Sequence, residues 1–392
     1  MKKFKEDGIG VNDLLKHIPE DLLLDLAKET NADYQVKKLY AQNVFNLLLY
    51  GLLKSERIGL RSLQDFYNSK KFKSLFRSPN TPKSAKYNSL SARLATMNVV
   101  FFEKAFNAIY EECSQLYDES ILSTKYKITR VDSTMVCETA AKLEQGINVG
   151  CKKDGKKQVK YTICLTNLFP SSVEIFTQQA CISEDKTIPK AILNSIDKKN
   201  DNVFVFDRGV SKREAFRELD QNDIKFVTRL NVNARNVVLK DNPLPEIRKV
   251  GNLTILKDQQ VNLMSKTKWI EYPFRLIQTK NEKGYKYWFL TNYEELDFEE
   301  IIKIYKHRWD IEVFFRFIKQ ELNFSHLISV NLNGIKILVY MTLILSMLIL
   351  VYKKINEFGY KTAKRRFSME LEELIDDYMI LRAGGDPNAP FP

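Results

Sequence analysis

Downstream of Tyr126 the chain sets out strand-like and helix-like runs in one order, and that order limits the folds open to it. YKITRVDSTMV, KQVKYTICLTNLF and SSVEIFTQQA are rich in β-branched and aromatic residues and separated by turn-forming stretches, so they read as three strands. DKTIPKAILNSI carries apolar residues at helical spacing, and NVFVFD, Asn202 to Asp207, is a further strand. SKREAFRELDQ is a second helix, and KFVTRL, Lys225 to Leu230, closes the series as a strand.

Three strands, helix, strand, helix, strand is the order expected of an RNase H-like fold. Between 231 and about 293 the alternation breaks, where NVVLK, NLTILK, WIEYPFRLIQ and KYWFLTNY read as extra strands. It resumes with a helix over 297–323 and an apolar helix over 335–356. The fold class is therefore α/β: an RNase H-like domain over 121–358 with a β-rich insertion at 231–293. Residues 1–120 read as a helical N-terminal domain, because NDLLKHI, PEDLLLDLAKE and VKKLYAQNVFNLLLYGLL space their apolar residues helically. Residues 359–392 read as a C-terminal tail, basic at KTAKRR and acidic after it.

Ile301 to Leu322 reads as one helix in which Tyr305, Arg308, Glu312 and Lys319 follow at steps of three, four and seven. At about 3.6 residues per turn, these steps put a phenol, a carboxylate and two cations on one face. A carboxylate can hold a divalent metal, and cations and a phenol can grip phosphate oxygens. The plainer alternative is a solvated face of ordinary ion pairs. Trp309, Phe314, Phe315 and Phe317 flank the face and argue for partial burial.

Two aspartates upstream strengthen the chemical reading. Asp132 ends the run ITRV and Asp207 ends NVFVF. In an RNase H-like sheet the ends of the first and fourth strands lie side by side, which would bring both together, with Glu312 completing a catalytic trio. Three carboxylates repel unless cations neutralise them. Two Mg²⁺ ions roughly 3.5–4 Å apart would do so and clamp both reacting oxygens of an in-line displacement. Either aspartate alone is more ordinarily a turn residue at a strand end.

The partner implied by composition is anionic. The net charge is +12, and nucleic acid fits that excess better than a membrane surface. Ser78 to Met97 runs from a Pro/Ser/Asn stretch into a short helix whose exposed side offers Lys83, Lys86, Ser89, Ser91 and Arg93, suited to phosphate and groove contacts. A solvated connector is the alternative. Lys152, Lys153, Lys156, Lys157 and Lys160 crowd the approach to the second strand as a basic tip. The 5 cysteines are scattered without a C-x-x-C pair, as in a reducing cytosol, and the 3 histidines form no zinc motif. The N-terminus carries no evident signal peptide. The apolar run Ile337 to Tyr352 falls short of the roughly 20 residues needed to cross a bilayer, so it reads as a core helix and no membrane partner is expected.

Together these residues resemble the DDE transposases of bacterial insertion sequences. Asp132, Asp207 and Glu312 look like the DDE triad, and Tyr305-x2-Arg308-x3-Glu312-x6-Lys319 matches the YREK signature of the insertion sequence four family. The likeness is strong over 126–350 and weaker over the helical N-terminus, which resembles a DNA-end-binding domain. It implies cut-and-paste transposition: water cleaves one strand at the element's end, the freed 3′-OH forms a hairpin, and the reopened end joins the target. It implies two Mg²⁺ ions held by Asp132, Asp207 and Glu312, with Mn²⁺ as a substitute. It also implies double-stranded DNA partners (terminal inverted repeats and target), a homodimer in the DNA complex, and a bacterial cytoplasmic, nucleoid-associated location. Tyr305, Arg308 and Lys319 would hold phosphates near the cleaved end, and Arg229 and Arg316 fall where the family often has cationic end contacts.

The family also stacks an aromatic of the β-insertion on a base flipped from the terminus. Counting back from Thr291 lands on Tyr287, while the tryptophan is its neighbour Trp288. Adjacent strand residues face opposite ways, so one is expected to stack and the other to pack. Two alternatives remain beside an active transposase: a catalytically silent or host-adopted DNA-binding protein, and a non-transposing RNase H-like nuclease.

Overall fold

The structure, a computed structural model, describes residues 8–18, 20–55, 57–75, 84–116, 126–137, 143, 145–149, 156–195, 202–244, 246, 248–265 and 268–389. Lys83, Lys152 and Lys153 lie outside the described residues, and of Lys156 only the backbone is described.

Among the described residues, seven helices come first: α1 (Val11–Leu15), α2 (Glu20–Glu29), α3 (Ala41–Lys54), α4 (Leu60–Asn68), α5 (Lys70–Leu75), α6 (Tyr87–Thr96) and α7 (Val99–Leu116). Then follow β1 (Lys127–Cys137), β2 (Ile147–Val149), β3 (Lys156–Thr166), β4 (Phe169–Phe176), α8 (Glu184–Asn194), β5 (Asn202–Val205), α9 (Arg213–Gln221) and β6 (Lys225–Leu230). The expected run of strands and helices is present, with the short β2 added beside β3. Five more strands continue the sheet: β7 (Asn236–Asp241), β8 (Lys249–Val250), β9 (Leu253–Ser265), β10 (Lys268–Asn281) and β11 (Lys286–Thr291). The chain ends in α10 (Phe298–Lys306), α11 (Asp310–Glu321), α12 (Leu332–Ile355) and α13 (Tyr360–Arg382).

Among the described residues, all strands belong to one mixed sheet of 11 strands. β3 pairs antiparallel with β1 and β4, while β5 lies parallel between β1 and β6. The segment read as an insertion does not form a separate layer. β11 pairs antiparallel with β6 and carries β10, β9 and β7 outward in the same sheet.

Strand alternation divides the covering layers. Val131, Phe204, Phe206, Phe226 and Leu290 face α8 and α9. Ile128, Val203, Val205, Val227 and Phe289 face α10. β3 sends Tyr161, Ile163 and Leu165 into the helical core built by α1–α7 and α11–α13. The N-terminal helices thus share one continuous core with the last three helices rather than closing on themselves.

α12 is apolar all round, and a helix of that kind must be buried. By composition it could cross a membrane, yet it lies inside the protein, enclosed by neighbouring elements. Where the sequence reads as a tail, the chain forms α13. Ala363, Phe367, Leu371 and Ile375 recur every fourth residue and bury one stripe of it. Glu370, in the acidic part of that segment, is buried and accepts hydrogen bonds from the Tyr352 hydroxyl and the Val11 amide.

Candidate active site

The parallel register of β1 and β5 brings the two aspartate segments together. Arg130 is level with Val205. Asp132 and Asp207 each stand two residues further on: Asp207 just past the end of β5, Asp132 not at a strand end as expected but within β1, because pairing with β3 carries that strand on to Cys137. Their proximity acts on the carboxyl of Asp132. Asp132 is pushed up to about 7 by burial first, opposed by the Ser133 amide, then raised further by the charges of Asp207 and Glu184. The Ser133 amide donates to Asp132 Oδ1 at 2.7 Å, and the Gly209 amide donates to Asp207 Oδ1 at 2.8 Å. Gly209 is needed in that turn: a Cβ there would sit 2.8 Å from Asp207 Oδ1 and 2.9 Å from Glu184 Cγ.

The long helix expected over 301–322 is interrupted. α10 ends at Lys306, His307–Trp309 form a 3-10 turn, and α11 begins at Asp310. The start of α10 is fixed by a capping box in which Asp297 accepts the Glu300 amide at 2.7 Å and Glu300 accepts the Asp297 amide at 3.0 Å. Its end is captured by β1. Arg130, fully buried, donates to the His307 carbonyl at 3.2 Å and to Asp310 Oδ2 at 2.9 Å. A carbonyl accepting from a guanidinium outside the helix no longer needs the regular helical ladder, which accounts for the local tightening. Tyr305 therefore rides on α10, Arg308 on the turn, and Glu312 and Lys319 on α11.

These residues still converge on the aspartates. Arg308 Nη2 lies 2.7 Å from Glu312 Oε1. Burial pulls the Arg308 guanidinium down, but Glu312, Tyr305 and Asp132 together hold it above its ordinary value. Lys319 is lowered by burial and partly restored by the charge of Asp132. Tyr305 is raised by burial, with Arg308 and Arg229 pulling against it and Asp207 adding to it. Arg316 lies on the exposed surface of α11, one turn after Glu312. Among the described residues, no three His, Cys, Asp or Glu side chains stand close enough to hold one metal ion. Glu312 is drawn to Arg308 rather than to the aspartates.

On the next strands, Arg229 of β6 is level with Phe289 of β11. Its guanidinium lies 4.6 Å from the Tyr287 ring and 5.9 Å from the Tyr305 ring, and its Nε is buried without a hydrogen-bond partner. Arg229, Tyr287, Phe289, Tyr305 and Lys306 line a cavity of about 200 Å³. Trp288 points to the other face, where it packs against the core that α8 and α9 cover, with its indole Nε1 buried and unpartnered. Trp269, exposed on β10, is remote from this cavity's lining.

Two basic features differ from the sequence reading. Arg93 is not presented outward from α6. It donates to the Leu39 and Ala32 carbonyls at 2.8 and 2.7 Å and pairs with Asp33 at 3.0 Å. Its step on the helix places it with Leu90 and Leu94 on the packed side, where those orphan carbonyls recruit it. Lys86 and Ser89 do remain exposed. Lys160 does not belong to a basic tip either. It is buried and its Nζ lies 2.7 Å from Glu184.

The residues missed by sequence reasoning are Arg130, Asp310, Glu184 and Asp185, and Lys160 was assigned to the wrong place. Arg130 carried a signal, since an arginine two places before Asp132 in an apolar strand must share its face. Glu184 fell just outside the helix read from Asp185 onward.

With this geometry in view, residues 123–348 match the family model described as Transposase DDE domain. The chain belongs to that family. A Sinorhizobium fredii protein, y4zB, named as a candidate transposase, is 26% identical over 155 residues. The match covers 39% of this chain and 43% of that protein, so the chain spans less than half of that relative's length. Among solved structures, a piggyBac transposase synaptic complex with hairpin DNA is similar at a TM-score of 0.50 and 10% identity. The alignment covers 97% of this chain and 82% of the other. At that identity the likeness concerns the fold.

Proposed function

We propose that this chain is a DNA transposase of the insertion sequence four family, acting by cut-and-paste at terminal inverted repeats. The carrying observation is the meeting of Asp132, within β1, and Asp207, just past the end of the parallel β5, where Tyr305, Arg308, Glu312 and Lys319 also converge. In this reading β1, β3, β4, β5 and β6 are the RNase H-like core, β7–β11 its insertion, and α1–α7 the DNA-end-binding region.

DDE transposases generally use divalent metal ions. The donor set fits such an ion: hard carboxylate oxygens, with Asp132 held partly protonated near neutrality by burial and by Asp207 and Glu184. A divalent cation would relieve that repulsion. Asp132 and Asp207 would hold Mg²⁺, or Mn²⁺ in its place, with Glu312 as the third ligand. Two such ions supply activation of the attacking oxygen and charge neutralisation at the leaving one.

The chain's own residues do the positioning. A DNA phosphate is a bidentate partner for Arg308 and competes with Glu312 for its guanidinium. Once that pair opens, Glu312 is free to turn toward the aspartates, so loading of DNA and completion of the carboxylate set are coupled. Arg316 and Lys319 extend the cationic track one and two turns past Glu312 along α11. Tyr305 places its phenol between Arg229 and Arg308. For the hairpin step, Tyr287 is the stacking residue and Trp288 the packing one, because only Tyr287 opens on the cavity beside Arg229 and Tyr305.

The test is strand cleavage on DNA carrying the element's terminal inverted repeats. Asp132→Ala and Glu312→Gln are each expected to abolish nicking and to leave end binding within about threefold, since phosphate contacts supply most affinity. Nicking by either variant in Mg²⁺ at the normal rate would overturn the assignment.

A further inference from the structure

The first two residues of α8 touch both aspartate-bearing segments from the far side of the sheet. Glu184 Oε2 accepts the Ser133 hydroxyl at 2.8 Å and the Thr187 hydroxyl at 3.1 Å. Its Oε1 lies 2.7 Å from Lys160 Nζ, which also donates to the Ile182 carbonyl at 3.0 Å. Both oxygens of Glu184 are thus engaged, and its stem backs onto Gly209. Asp185 holds the other segment. Its Oδ1 accepts the Ser211 amide at 2.5 Å and the Lys212 amide at 2.8 Å, and its Oδ2 accepts the Ser211 hydroxyl at 2.8 Å.

We infer that Glu184 and Asp185 are positioning residues: one fixes β1 through Ser133 beside Asp132, the other fixes the turn after Asp207, and together they set the separation of the two aspartates. The inference rests on the metal-binding role given above to Asp132 and Asp207. Three features separate this arrangement from an incidental acidic helix start. Glu184 is matched by a buried lysine on the neighbouring strand. Ser133 and Gly209 are one and two residues from the aspartates. Asp185 collects three donors from a single loop, which leaves that loop one arrangement. Both carboxylates are consumed by these bonds, so neither serves as a metal ligand here. They act on the site as outer-shell partners do, through the geometry of the ligands they hold.

The experiment is Mn²⁺ binding to the full chain without DNA, read by electron paramagnetic resonance, alongside thermal unfolding. Asp185→Ala is expected to weaken Mn²⁺ binding about tenfold, the lower end of outer-shell effects. Glu184→Ala would strand the buried Lys160, so it is made together with Lys160→Met. That double variant is expected to fold and to lose affinity by about tenfold. Glu184→Gln with Lys160→Met keeps a carbonyl oxygen for Ser133 and is expected to stay within about threefold of the unaltered chain. A lowered melting temperature with unchanged Mn²⁺ affinity in the alanine variants would reduce both residues to packing roles and overturn the inference. Asp132→Asn is the control. If it leaves Mn²⁺ binding intact, the metal-binding role itself fails, and the inference falls with it for that separate reason.

Discussion

Arg130 and Asp310 form a 2.9 Å ion pair that fastens the strand of one candidate ligand to the helix of another. Arg130 stands two residues before Asp132, and Asp310 two residues before Glu312. The guanidinium is fully buried, the carboxylate about a third exposed. His307 Nδ1 also lies 3.1 Å from the same Asp310 oxygen, so the turn between α10 and α11 is held at two points. Removing one partner of a buried pair costs about 3–5 kcal/mol, and the exposure of Asp310 favours the lower end. Asp310→Asn should therefore destabilise the protein by about 3 kcal/mol in urea unfolding. It should also slow nicking at saturating Mg²⁺, because Glu312 loses its register with Asp132. A destabilised variant that nicks at the normal rate would remove the strap from the catalytic account.

The pH dependence of stability should carry the signature of Asp132. Burial, with Asp207 and Glu184 behind it, raises its carboxyl from 3.8 to about 7. Between those values the folded protein retains a proton that the unfolded chain has released. The stability associated with that proton is complete below 3.8 and is lost as pH rises through about 7. Without metal, Asp132→Asn should therefore gain on the unaltered chain as pH rises from about 5 to about 8. Added Mg²⁺ should narrow the gap at the higher pH, since metal binding requires the deprotonated ligand. A gap that stays constant across the range would show that Asp132 ionises normally.

Much of this site was legible because it depends on periodicity. Alternation in ITRVD and NVFVFD assigned strands, and the parallel pairing of β1 with β5 then brought Asp132 level with Asp207. The spacing of Tyr305, Arg308, Glu312 and Lys319 pointed to one helical face; the four do gather near Asp132 and Asp207, but from two helices and the turn between them. The break at His307–Trp309 was not legible, because it is imposed by Arg130 from a strand distant in sequence. For the same reason Arg93 and Lys160 read as surface cations. Their partners Asp33, Leu39 and Glu184 are brought to them only by tertiary packing. The tail was misread because α13 alternates charges with a narrow apolar stripe, and composition alone does not register a stripe.

The basic surface of α6 should separate into one contact residue and one packing residue. Lys86 is exposed at the start of the helix, whereas Arg93 is spent on the 32–39 segment. Lys86→Ala should weaken DNA-end binding and lower the slope of log affinity against log salt by about one. Arg93→Ala should instead cost stability, on the order of 1–3 kcal/mol for the Ala32 and Leu39 carbonyls that lose their donor, while Asp33 keeps the Ala41 amide. Binding by folded Arg93→Ala should keep the normal salt slope. Equal slopes for Lys86→Ala and the unaltered chain would exclude Lys86 as a phosphate contact.

Tyr287 and Trp288 should part company in the hairpin step. Tyr287 lines the cavity with Arg229 and Tyr305, and Trp288 packs against the core on the opposite face. The first nick needs no sharp reversal of the duplex, whereas hairpin closure does, and a base stacked outside the helix relieves that bend. Base–aromatic stacking is worth about 1–3 kcal/mol. Tyr287→Ala should therefore slow hairpin formation by roughly tenfold or more while leaving nicking near normal. An abasic nucleotide near the terminus should restore part of the loss, because the unstacking cost is already reduced there. Trp288→Ala should lower thermal stability by the amount typical of a buried aromatic, about 3–5 kcal/mol, discounted for its partial exposure. Its hairpin-to-nick ratio should stay normal in whatever fraction folds. If Trp288→Ala rather than Tyr287→Ala shows the selective hairpin defect and the abasic rescue, the cavity beside Arg229 is not where the base goes.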